Sequence, residues 1–169
     1  MEDQNVKRSG KVSKYSMTLT PFAPNGDFLN LLDDISLIID EKLARTFFHQ
    51  LVSAVEHLHS HKAAHLDLKL ENLVLDDECN LRIIDFDMSQ FEDDEYLESR
   101  GTPYFRAPEL KRCNGSLARP EKCDVYSLGV IAFTLVSRGV MPHLENEDIF
   151  GLNLEKLMYE DMDKFWKKQ

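Results

Sequence analysis

Cysteine is scarce in this sequence. The three, Cys79, Cys113 and Cys123, are odd in number and show no Cys-x-x-Cys spacing. That excludes a disulfide framework and a zinc knuckle, and leaves free thiols suited to a reducing compartment. Long apolar runs are missing as well. Even Val125 to Val136 falls short of the ~20 residues that span a bilayer, and the polar, basic start from Met1 to Lys14 has no apolar stretch to serve as a secretory signal. Positive charge is in deficit, with 30 acidic against 20 basic residues and a net charge of -10. Such a balance disfavours nonspecific attachment to nucleic acid or to an anionic membrane. No internal repeat is present. Together these absences predict an intracellular, cytoplasmic protein with neither nucleic acid nor membrane as partner.

What is present suits one globular domain. The 169 residues are 43% hydrophobic and 30% charged, and a chain of this length buries about 70% of its unfolded surface. Met1 to Lys14 mixes Lys7, Arg8, Lys11 and Lys14 with Ser, Gly and Asn without periodicity, so residues 1–14 are expected to be a disordered lead-in. Tyr15 to Thr20 suits a short strand. Pro21 to Gly26 forms a turn by composition, and Asp27 suits the cap of a short helix from Phe28 to Leu32.

Leu43, Phe47, Leu51, Ala54, Val55 and Leu58 recur at helical spacing after an Asp40 cap. Asn72–Leu75 and Leu81–Ile84, flanking the acidic stretch Asp76 to Asn80, predict a β-hairpin. Asp124 to Val136 is apolar nearly all round and is expected to be a helix buried on every side, capped by Asp124. Leu152 to Trp166 is amphipathic.

The chemistry-bearing residues cluster in three places: His65-Leu66-Asp67-Leu68-Lys69-Leu70-Glu71-Asn72, then Asp85-Phe86-Asp87, then Gly101 to Glu109 ending in Ala107-Pro108-Glu109. In this order and spacing they resemble the protein kinase family, whose signatures are H-R-D-L-x-x-x-N, D-F-G and A-P-E. Asp124-Val125-Tyr126-Ser127-Leu128-Gly129 is similar to the start of the family's central helix. One such motif is weak evidence. Four in order make accident a poor explanation.

The resemblance implies a fold that is mainly α with a small β-hairpin, the C-terminal lobe of a kinase, truncated at both ends, with residues 15–169 as hinge and large lobe. No G-x-G-x-x-G loop and no V-A-I-K lysine occur in the sequence. The implied activity is phosphoryl transfer from ATP, with Mg²⁺, to a protein serine or threonine. A partner chain or a missing N-lobe is expected to complete the site. The alternative is a catalytically inactive pseudokinase or fragment that binds other proteins.

Phosphoryl transfer gathers negative charge on oxygens in line, so a catalyst needs cations and metal-binding oxygens rather than covalent chemistry. The residues meet that need. By resemblance Asp67 orients the substrate hydroxyl and accepts its proton, Lys69 binds the transferring phosphate, and Asn72 and Asp85 hold metal. Val74 lies under the adenine, and Ala23 meets its edge through backbone groups. Lys69 together with Thr102 is similar to the serine/threonine branch.

Two departures from the family pattern stand out. Leu66 replaces the arginine of H-R-D, which argues against control by an activation-loop phosphate. Asp87 replaces the glycine of D-F-G, bringing a residue that tolerates positive φ and a further carboxylate. Taken singly, each of these acids and Lys69 is an ordinary solvated surface charge. His57, His59, His61 and His65 lack the cysteine or carboxylate that would complete a metal set, and His65 is expected to pack under Phe86. Glu109 and Asp124 are expected to be structural, the latter anchoring the catalytic loop.

Overall fold

The computed structural model describes residues 4–8, 11–15, 17–34, 39–91, 94, 101–112 and 119–137. Chain order is β1 (Gln4–Arg8), β2 (Lys11–Tyr15), α1 (Phe28–Asp33), α2 (Glu41–Ser60), β3 (Ala63–Ala64), a 3-10 turn (Leu70–Asn72), β4 (Leu73–Leu75), β5 (Leu81–Ile83), β6 (Gln90–Phe91), α3 (Pro108–Arg112) and α4 (Pro120–Val136). Helices carry the body, and the strands pair two by two as β1 with β2, β3 with β6 and β4 with β5.

The basic start departs from expectation. Residues 4–15 pair as an antiparallel ladder in which Gln4 faces Tyr15 and Arg8 faces Lys11. Backbone hydrogen bonds build such a ladder without an apolar stripe, which is why periodicity did not announce it. The expected strand from Tyr15 to Thr20 is absent, since β2 ends at Tyr15 and residues 17–20 are irregular.

α2 forms where the spacing places it. Asp40 caps it, its Oδ1 accepting from the Leu43 amide at 2.8 Å, and an exposed Arg45–Glu41 pair at 2.7 Å adds a few tenths of a kcal/mol. Ala44, Phe47, Leu51 and Val55 form its buried face. Phe28 from α1 meets Phe47 edge to face with ring centroids 4.8 Å apart. Ile131 and Leu135 of α4 join the same core, together with Leu73, Leu75 and Leu81 of the hairpin. Each such side chain contributes about 1.5–3 kcal/mol when fully buried.

After α2, Lys62 takes a left-handed φ of 59° and turns the chain into β3. The β4–β5 hairpin pairs Leu73 with Ile83 and Leu75 with Leu81. Its acidic turn is organised by Asp76, whose Oδ1 accepts from the Glu78 and Asn80 amides at 3.0 and 2.8 Å and whose Oδ2 accepts from Arg82 at 2.8 Å.

Two expectations for α4 are corrected. It starts at Pro120, with proline in the first turn, so Asp124 lies inside the helix and is not its cap. Nor is it buried all round, because Val125 and Val136 are exposed. The amphipathic stretch Leu152 to Trp166, Cys113 and most of the acidic run after Phe91 lie outside the described residues. No helix among the described residues is long and apolar enough to cross a membrane.

Candidate active site

The loop of residues 65–72 leaves β3 and is gripped from beneath by α4. Asp124, fully buried, accepts from the His65 amide at 2.8 Å and the His59 imidazole at 2.9 Å through Oδ2, and from the Leu66 amide at 2.8 Å through Oδ1. The carboxylate rising from within α4 thus satisfies two buried loop amides, which would be costly to leave without a partner. Leu66 is held at a left-handed φ of 65°. Its side chain is 4% exposed and packs with Ala64, Ala107, Leu110 and Cys123. The position where the family pattern has arginine is therefore filled by apolar packing.

That turn aims Asp67, Lys69 and Asn72 at one point. Asp67 is 8% exposed. Its Oδ2 accepts from Lys69 Nζ at 2.8 Å and from Asn72 Nδ2 at 3.3 Å, while its Oδ1 accepts from the Thr102 amide at 2.7 Å and the Thr102 hydroxyl at 2.8 Å. Lys69 Nζ also donates to Thr102 Oγ1 at 3.1 Å. Burial pushes the Asp67 carboxyl up, but the Lys69 ammonium and the Thr102 hydroxyl and amide together outweigh it and hold it below its ordinary value. The bond to Asp67 raises Lys69, against a smaller effect of burial. The pair is a charged carboxylate and ammonium.

In the sequence Thr102 reads only as a mark of the serine/threonine branch, not as a partner of Asp67, and Gly101 does not stand out as a site residue. Gly101 has φ 91°, and a Cβ there would lie 2.5 Å from the Leu66 carbonyl oxygen. Only glycine lets the 101–110 segment come this close to the loop. The signal was present as the glycine directly before Thr102, but its necessity depends on a contact across more than thirty residues of chain.

The Asp85 side of the site is tied through backbone. The Ile84 amide donates to the Asn72 carbonyl at 3.0 Å. The Ile84 carbonyl accepts from His65 Nε2 at 3.0 Å, because His65 Nδ1 is occupied as acceptor of the Asp67 amide at 3.3 Å. The buried His65 ring lies 4.9 Å from that of Phe86, as expected. Asp85, not Asp87, carries the positive φ, at 64°. Its carboxylate is exposed, with only a 3.5 Å contact from the Asp87 amide, and it acts electrostatically on Lys69.

Residues 23–27, expected from the sequence to be a hinge, also approach the hairpin. Asp27 bridges to Val74, the Leu75 amide donates to the Gly26 carbonyl at 3.0 Å, and the Gly26 amide makes a 3.5 Å bond to the Ala23 carbonyl. Val74 thus lies beside the turn that contains Ala23, one strand step from Asn72. His59 is bound to Asp124, and His57 and His61 stack with centroids 4.5 Å apart.

Among the described residues, no three His, Cys, Asp or Glu side chains gather as a closed metal cage. The donor set instead suits Mg²⁺ carried on phosphate. Asn72 commits its amide nitrogen to the Asp67 carbonyl at 2.9 Å, which leaves its amide oxygen out of these bonds, and Asp85 offers an exposed carboxylate. One or two hard oxygens, with water and phosphate making up the rest, are what Mg²⁺ accepts.

A model of the protein kinase domain matches residues 6–168. The chain is 42% identical over 106 residues, 62% of its length, to human NUAK family SNF1-like kinase 1. Over 131 residues, 76% of its length, it is 37% identical to a probable serine/threonine-protein kinase KIN1 homolog of Encephalitozoon cuniculi. Over 123 residues, 72% of its length, it is 43% identical to the carbon catabolite-derepressing protein kinase of Saccharomyces cerevisiae. The matches span 16%, 22% and 19% of these relatives' own lengths. With a matching domain model over nearly its whole length and the motif residues assembled in one place, the chain belongs to the protein kinase family.

Proposed function

We propose that residues 15–169 form the larger lobe of a serine/threonine protein kinase which, joined to a glycine-rich smaller lobe, moves the terminal phosphoryl group of ATP to a protein hydroxyl. The observation that carries this reading is the Asp67, Lys69, Asn72 and Thr102 cluster, with one carboxylate ringed by donors and an ammonium beside it. Exposed Leu19 and Phe22 (84% and 86%) in the hinge, with exposed Ile84 and Phe86 near Asp85, support an apolar face suited to a second lobe.

In this reading Asp67 orients the incoming hydroxyl and accepts its proton. Lys69 and Thr102 keep Asp67 ionised and fixed in place, so it can accept a hydrogen bond from the hydroxyl and orient it. Lys69 offers its ammonium to the transferring phosphate. Asn72 and Asp85 hold Mg²⁺, which when bound neutralises charge on the phosphate oxygens. Val74 supplies an apolar floor for adenine, and Ala23 its backbone groups.

The test joins the chain to a relative's smaller lobe and compares two variants. Asp67→Asn should keep Mg-ATP binding and lower peptide phosphorylation by about 10²–10⁴-fold, the range for a positioned acid or base. Asp85→Asn should lose Mg²⁺-dependent nucleotide binding as well. Equal loss of binding in both variants would sink the division of roles, and unchanged phosphorylation in both would sink the kinase reading.

A further inference from the structure

We propose that Asn25 is a site of spontaneous deamidation in the folded protein, a chemical modification that detaches the hinge turn from the β4–β5 hairpin. Asn25 is followed by Gly26, it is exposed, and its neighbour is a glycine at φ 75° around which a Cβ would meet nothing within 4 Å. Residue 26 has no side chain to shield its amide nitrogen from the Asn25 amide carbon. The nucleophile is weakly held, because the Gly26 amide makes only the 3.5 Å bond to the Ala23 carbonyl, at the far limit of a hydrogen bond.

The reaction balances with water as the only co-reactant. The Gly26 amide nitrogen, having given its proton to solvent base, bonds to Asn25 Cγ. The Cγ–Nδ2 bond breaks, ammonia leaves with a proton from water, and a succinimide remains. Water then adds to one of the two imide carbonyls. Opening on one side gives aspartate, and opening on the other gives isoaspartate, in which the main chain runs through the former side-chain carbon.

The structural consequence follows from what Asn25 does. Its Nδ2 donates to the Asp76 carbonyl at 2.6 Å and makes a longer 3.7 Å contact with Cys79 Sγ. A carboxylate cannot donate, so after reaction an anion faces a carbonyl oxygen, close to the acidic turn of Asp76, Asp77 and Glu78. Isoaspartate also inserts a methylene into the main chain just before Gly26, whose carbonyl accepts from the Leu75 amide. Both changes push the turn away from Val74. Any effect on nucleotide rests on the kinase reading above, whereas the modification does not.

The experiment incubates the full folded chain in mildly alkaline buffer at physiological temperature, then digests it and follows each asparagine peptide by mass spectrometry and isoaspartyl methyltransferase labelling. The peptide with Asn25 should gain the mass of an amide-to-acid exchange and accept methyl groups, at least tenfold faster than the peptides with Asn72 and Asn80, each followed by leucine. Asn25→Ser should abolish the signal from that peptide while leaving any signal from Asn114, in the chain's other Asn-Gly pair, in place. An Asn25 peptide as inert as that of Asn72, or one that reacts only when denaturant is present, would overturn the proposal.

Discussion

The two acids proposed for the chemistry sit in opposite surroundings. Asp67 is buried among donors from Lys69, Asn72 and Thr102, on a loop whose amides are clamped by Asp124 from inside α4. Asp85 is exposed, with one long contact from its own neighbour's amide, and no ion pair involves it among the described residues. The half of the site proposed to handle the hydroxyl is assembled in advance. The half proposed to handle the metal is positioned through backbone and leaves its carboxylate open to solvent. A carboxylate surrounded by donors is held at its post but is a poor metal ligand, and an open one is the reverse.

The largest effect that tests this contrast is expected from Asp124→Ala. It strands the buried His65 and Leu66 amides, removes the partner of the partly buried His59 ring and releases the strained turn at Leu66. The loss should be on the order of 3–5 kcal/mol, measured by chemical denaturation. A loss below one kcal/mol would show that the loop is held by its apolar packing instead. Next comes Gly101→Ala. The new Cβ meets the Leu66 carbonyl and φ 91° is costly for alanine, so about 1–3 kcal/mol should be lost.

A smaller effect is expected from pH. Asp67 titrates below its ordinary 3.8 in the folded chain, so its contribution to stability is complete above that value and disappears as pH falls through the lower folded value. Lys69 titrates above its ordinary 10.5, so its contribution is complete below 10.5 and disappears as pH rises through the higher folded value. Asp67→Asn should flatten the acid limb of a plot of stability against pH and leave the neutral region without slope. A variant that keeps the acid limb unchanged would assign it to other carboxylates. The smallest effect belongs to Asp85→Ala, which should change stability by no more than about 0.5 kcal/mol, as for a surface substitution. A larger loss would erase the contrast between the two acids.

Much of this was legible in the sequence where the cause is local. α2 follows from apolar spacing and an Asp40 cap that bonds three residues ahead, and the β4–β5 hairpin from two short apolar runs around Asp76. The motif order placed Asp67, Lys69 and Asn72 on one loop, and they do meet. The β1–β2 ladder escaped because its side-chain pattern is irregular. The start of α4 was misplaced because Asp124 has the chemistry of a cap, while Pro120 had already opened the helix.

By itself, then, the sequence determined α1, α2, the body of α4, the hairpin, the family and which residues share the loop, because caps, periodicity and motif spacing act over a few residues. Only the tertiary structure decided that Asp124 reaches the loop from inside its helix and not from the cap position, that Leu66 is packed and not exposed, and that Gly101 must lack a side chain. It also decided that Thr102 closes the ring around Asp67. Each of these depends on atoms brought within hydrogen-bond or van der Waals distance across tens of residues, and the short range of those forces leaves no local trace along the chain.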